Sequence, residues 1–151
     1  MTRFETIKGL LASATTAGKV GPEMILRAEE ALGVRFPPAY TEFLSQFGAA
    51  LCDGFEIAGL VDPESNNEPP LWSNVVLSTV QLREASNGLI PHEYIFVSSD
   101  GGDYYYYLDT SRPNAQGECP VIVLGPGADA VIVAEDFYDF IIRSFEGSVS
   151  F

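Results

Sequence analysis

Apolar residues recur every three to four positions over the first third of the chain and at alternate positions over much of the rest. Phe4, Ile7, Leu11 and Ala14 follow a Thr2-x-x-Glu5 capping box, which predicts a helix running from Thr2 towards Gly18. A second helix opens at Gly21-Pro22, with proline at the tolerated first position. It carries Met24, Ile25, Ala28, Ala31 and Leu32 on one broad face and stops at Gly33. Val34-Arg35-Phe36 reads as a short extended connector, because the following proline disfavours helix. Pro38 opens a third helix with Tyr40, Phe43, Leu44 and Phe47 on its buried side and Gly48 just beyond its end.

From Asp53 the period changes to two. Phe55 and Ile57 alternate with Glu56 and Ala58 in a short strand closed by Gly59. Residues 62–70 form a polar, proline-bounded loop. Val75-Val76-Leu77 reads as a brief strand, and Ser78 with Gln81 as a capping box that starts a helix ending near Asn87. Residues 94–98 and 104–109 are two strands joined through Ser99-Asp100-Gly101-Gly102-Asp103, a hairpin. A second hairpin pairs 121–124 with 130–133 around Gly125-Pro126-Gly127. The closing helix has Glu135 and Asp136 in its first turn and Arg143 in its last, as the helix dipole favours, with Phe137, Phe140, Ile141 and Phe145 on its buried side. Helices, then a mostly antiparallel sheet, then a C-terminal helix predict an α+β fold in a single domain spanning 1–151.

Composition narrows the class. The 151 residues are 46% hydrophobic and 19% charged, enough apolar material for one core and too little charge for a disordered chain. No apolar run approaches the roughly 18 residues of a membrane span. The N-terminal residues, with Glu5 among them, show no apolar signal region. Two cysteines, Cys52 and Cys119, are too few for a disulfide scaffold, so a reduced cytoplasmic setting is expected.

Charge changes the picture more. There are 21 acidic and 8 basic residues, a formal net charge of −13. Residues 1–35 hold five basic and four acidic side chains, whereas the rest of the chain holds three basic and seventeen acidic ones. Such a body repels nucleic acid and anionic membranes and attracts cationic partners at long range. Plain solubility is an equally good reason for the acid excess.

Candidate chemistry is sparse. His92 is the sole histidine, the two cysteines form no C-x-x-C, and neither G-x-S-x-G nor a glycine-rich phosphate loop is present. No catalytic residue, metal site or cofactor is therefore expected. Cys52, behind two alanines and a leucine, suits burial. Asp100-Gly101-Gly102-Asp103 lacks the alternating acids and distal Glu of a calcium loop and reads as a turn. The run Tyr104-Tyr105-Tyr106-Tyr107 is less usual. Strand geometry sends alternate tyrosines to opposite faces, two inward and two outward. It serves either as strand filler or as an exposed aromatic pair beside Asp100 and Asp103, of the kind enriched at interfaces. The expected partner-binding surface comprises Asp62, Glu64, Glu68, Asp100, Asp103, Tyr104, Tyr105, Tyr106 and Tyr107, because recognition varies on loops above a helical scaffold.

Three stretches carry a family resemblance. Residues 28–44 contain Glu30-Ala31-Leu32-Gly33-Val34-Arg35-Phe36-Pro37 followed by Tyr40, Phe43 and Leu44. Residues 96–105 contain Asp100-Gly101-Gly102-Asp103-Tyr104, and Phe137-Tyr138-Asp139-Phe140-Ile141 lies near the C-terminus. In order and spacing they resemble the SUKH superfamily, which includes the fungal Smi/Knr cell-wall regulators. This chain has two glycines where many members have three. The resemblance implies an α+β protein-binding module without catalytic residues. Bacterial members are commonly immunity proteins, each neutralising a cognate polymorphic toxin in the cytoplasm, and many such toxins are nucleases. The expected partner is then a basic toxin protein, bound by occlusion. The alternative is a Smi/Knr-like cell-wall or signalling scaffold without a toxin partner.

Overall fold

The computed structural model describes residues 2–62 and 74–150. Helix α1 (Arg3–Leu10) is capped by Thr2, whose hydroxyl accepts the Glu5 amide at 3.1 Å. It is shorter than its apolar spacing predicts. A single tight turn, Leu11–Ser13, follows it, and the chain then extends into strand β1 (Thr15–Thr16). The two β-branched threonines favour extended backbone, and the Ala17 amide is taken by the Ala49 carbonyl at 2.9 Å, so Ala14–Gly18 does not continue the helix. Helices α2 (Pro22–Leu32) and α3 (Pro38–Phe47) have the bounds that their prolines and glycines predict.

Strands β2 (Ala50–Cys52) and β3 (Phe55–Ile57) pair with β1 in an antiparallel sheet of order β1-β2-β3. The sequence pattern predicts β3 and misses the other two, which are two and three residues long. Helix α4 (Val75–Ala85) overturns a second expectation: Val75-Val76-Leu77 is its first turn, not a strand, and Ser78 lies inside it. The cap is Asn74, whose Oδ1 accepts from the Val76 and Leu77 amides at 2.9 and 3.0 Å. A three-residue apolar run has no period of its own, and the cap decides its conformation.

The second sheet is the antiparallel meander β4 (Tyr94–Ser99), β5 (Tyr105–Asp109), β6 (Val121–Gly125) and β7 (Ala128–Ala134). Val97 is an extra residue in β4: Phe96 faces Tyr107 and Ser98 faces Tyr106 across the pair. The bulge turns the Val97 carbonyl to the Ala58 amide (2.8 Å), and Ser98 Oγ donates to the Glu56 carbonyl (2.7 Å). These bonds join the two sheets at β3 and β4. The joint allows no side chain at Gly59, where a Cβ would stand 1.7 Å from the Gly48 carbonyl oxygen.

Helix α5 (Phe137–Glu146) closes the chain, with Asp136 as its cap rather than part of its first turn. Its Phe137 meets Tyr40 and Phe43 of α3 edge-on, with ring centres 4.9 and 5.3 Å apart. Tyr40 is fully buried and donates its hydroxyl to the Ala58 carbonyl at 2.7 Å, fastening α3 to the joint between the sheets. One hydrophobic cluster runs through α2, α3, both sheets and α5. Among the described residues no helix is long and apolar enough to cross a membrane.

Candidate functional site: paired clefts at the Asp100 turn

Three segments remote in sequence converge beside the β4–β5 turn: the β2–β3 hairpin, the turn itself, and the C-terminal end of α5. Two clefts open to solvent there, of about 230 and 420 Å3. They share Gly54, Phe55, Ser99 and Asp100. Phe55 therefore stands between them, steadied by Phe145, whose ring meets it edge-on at 5.2 Å. Phe55, Tyr106 and Phe140 wall the smaller cleft, with Ser98 and Ser144 adding hydroxyls. Tyr106 and Phe140 lie 5.2 Å apart. Cys52, Glu56 and Phe96 border the larger cleft.

The turn is built to hold a carboxylate. Asp100 Oδ1 accepts from the Gly102 amide (2.8 Å) and the Tyr104 amide (3.3 Å), and the Asp100 amide donates to the Tyr104 carbonyl (3.2 Å). Ser99 Oγ accepts the Gly101 amide at 3.0 Å. Asp100 itself is exposed, and its Oδ2 makes no hydrogen bond among the described residues. The carboxylate is thus oriented by backbone while one oxygen remains open to an incoming donor.

The charged side chains that line the clefts are acidic. Asp100 and Glu56 line the clefts, and among the described residues no Lys, Arg or His does. Exposed Asp53 precedes Gly54, and exposed Glu146 precedes the α5 cap Gly147, which lines the smaller cleft. The helix also directs its negative C-terminal end there. Burial pushes the Tyr106 phenol above its ordinary range, and the negative charge of Asp100 adds to the shift. Burial likewise pushes the Cys52 thiol up to about 11, so at neutral pH it is a thiol and a poor nucleophile.

The tyrosine run behaves differently from a strand with one wet face. Its directions alternate, but Tyr106 and Tyr107 are 8% and 1% exposed and both are buried. Helix α5 covers the Tyr106 side through Phe140, and the rings of Tyr94 and Phe96, 5.9 and 6.1 Å away, enclose Tyr107. Tyr107 therefore belongs to the core, and burial raises its phenol to about 12. Tyr105 is half-buried and lies 6.2 Å from Phe96. Tyr104 is tied down: it donates its hydroxyl to the Pro126 carbonyl at 2.7 Å and lays its ring against Gly125, where a Cβ would come within 2.3 Å of it. Among the described residues of the expected surface, Asp100 and Tyr106 line the clefts. Asp103 is exposed on the turn, and Asp62 is half-buried and lines neither cleft. Glu64 and Glu68, with most of the 62–70 loop, lie outside the described residues.

Sequence reasoning missed Phe55, Glu56, Phe140 and Ser144 as site residues. Phe55 and Glu56 carried only a strand signal and Phe140 only a helix-face signal; nothing local places them beside Asp100. Among the described residues no group of three or more His, Cys, Asp or Glu side chains is arranged to hold a metal. His92 is exposed and sits against Gly33, away from both clefts.

A family model described as SMI1-KNR4 cell-wall matches residues 5–146. The match includes every residue lining the two clefts except Gly147 and Val149. No curated protein matches the chain.

Proposed function

The chain belongs to the SMI1-KNR4 family of the SUKH superfamily, and from that premise we propose that it is an immunity-type protein-binding module. In this reading it neutralises a cognate toxin in the cytoplasm by covering the toxin's working surface. The observation that carries the reading is the pair of aromatic-walled clefts bordered by Asp100 and Glu56 and lined, among the described residues, by no cationic side chain. Aromatic walls supply contact area that is desolvated on docking, and the acidic rim selects a basic partner and speeds its approach. A nuclease toxin fits this chemistry, because the surface that grips phosphate is itself basic. Occlusion needs no nucleophile, base or metal, and the buried cysteine thiols suit a role without chemistry.

The test is to inspect the locus for a toxin gene and, where one is encoded, to co-express its toxin domain with this chain and follow the kinetics of the purified pair. Growth is expected to recover. Association should slow steeply as salt shortens the Debye length from about 10 Å at 0.1 M to about 3 Å at 1 M. A salt-independent association rate overturns the charge argument. A locus without a toxin gene, or failure of this chain to rescue growth where one is present, overturns the immunity reading in favour of a Smi/Knr-like scaffold.

A further inference from the structure

We infer that the smaller cleft is the seat of an arginine side chain presented by a basic segment of the partner; this rests on the binding-module reading and specifies its chemistry. Four features agree. Phe55, half-buried, offers a ring against which a guanidinium plane stacks, and the buried Tyr106 and Phe140 complete an aromatic lining. The rim carries Asp100, whose Oδ1 is fixed by two backbone amides while Oδ2 is open, so the acceptor is oriented before the donor arrives. Helix α5 ends at the cleft, where its C-cap Gly147 lines the wall, and brings the negative pole of its dipole there. Among the described residues no Lys, Arg or His lines the cleft to satisfy that charge internally. A neutral apolar side chain would fill the walls and leave Asp100 dehydrated without a partner. An ammonium would meet the charge without covering the rings as fully. A guanidinium does both.

The probe is an acetylated, amidated Gly-Arg-Gly tripeptide titrated at low salt into the full 15N-labelled chain. Its lysine analogue and its citrulline analogue, which keeps the arginine shape without the charge, are the controls. Amide shifts are expected to concentrate at residues 54–56, 98–101 and 144–147. The arginine peptide should bind more tightly than the lysine one, and the citrulline peptide should leave these residues unmoved. Asp100→Asn keeps an oxygen to accept the Gly102 and Tyr104 amides and removes the charge. It should weaken arginine binding about tenfold or more, with the rest of the spectrum native. Equal binding of the citrulline or lysine peptide, shifts centred elsewhere, or native affinity in folded Asp100→Asn overturns the inference. A cleft that takes arginine in a chain that protects against no toxin sinks the immunity reading and leaves this inference standing. Protection that survives Asp100→Asn unchanged, together with no arginine binding, does the reverse.

Discussion

Replacing Asp136 tests how the two ends of the chain are held together, and so how α5 is aimed at the clefts. Asp136 caps α5: its Oδ1 accepts the Asp139 amide at 2.9 Å. The same carboxylate takes Arg3 of α1 in a forked pair, with Nη1 at 2.8 Å from Oδ2 and Nη2 on Oδ1. The carboxylate side is nearly buried, at 10% exposure, whereas the Arg3 side chain is 54% exposed. Removing a helix cap costs about 0.5–2 kcal/mol. The pair adds about 1 kcal/mol, because Arg3 is solvated enough to be screened and regains water when released. Asp136→Ala should therefore lose about 1.5–3 kcal/mol in urea denaturation followed by circular dichroism. Asp136→Asn, which still caps, should lose only the share of the ion pair, about 1 kcal/mol. Burial pushes the Asp136 carboxyl up, but the hydrogen bonds from Arg3 and from the Asp139 and Tyr138 amides outweigh it, and the net shift is downward. A depressed carboxyl stabilises the fold above its ordinary range and loses that contribution as pH falls through it. The deficit of Asp136→Ala should thus be complete at pH 7 and shrink below about pH 4. An Asn variant as unstable as the Ala variant, or a deficit that does not change with pH, would refute this division between cap and charge.

Three other outcomes are expected. Gly59→Ala should destabilise the fold by about 3 kcal/mol or more, because its Cβ would collide with backbone at Gly48; a urea midpoint near wild type would show that the joint yields. Ala130 has φ +57° at a non-glycine position, so Ala130→Gly should raise stability by about 1 kcal/mol in thermal melts, and a lowered melting temperature would count against strain there. Burial raises the Tyr107 phenol to about 12, with the Tyr105 charge adding to it. Because the neutral form is favoured in the fold, this contribution is intact below about pH 10 and is lost towards pH 12; Tyr107→Phe should flatten that alkaline loss in a pH series of denaturation curves.

Local signals in the sequence were enough to determine α2, α3 and the two hairpins of the meander. Proline cannot sit inside a helix, a positive φ favours glycine, and each buried face repeats with its element's own period. The acid excess and the order of the family-like stretches also belong to the sequence, as does the Asp100 turn. Only the tertiary structure decided the rest. Strands β1 and β2 are too short to show a period and exist because Ala50 and Leu51 pair across to Thr16 and Thr15. The start of α4 depended on a cap at Asn74 that outweighed the β-branched character of Val75 and Val76. The tyrosines alternate as any strand must, yet whether an outward side chain is wet depends on what the rest of the chain lays over it. Phe140 covers Tyr106, and Tyr94 and Phe96 close over Tyr107. The clefts are the extreme case. Gly54, Asp100 and Ser144 lie more than forty residues apart in sequence, and no periodicity spans that separation. Their meeting follows from how the Val97 bulge joins the two sheets and how Asp136 sets the start of α5, contacts that exist only once the chain has folded.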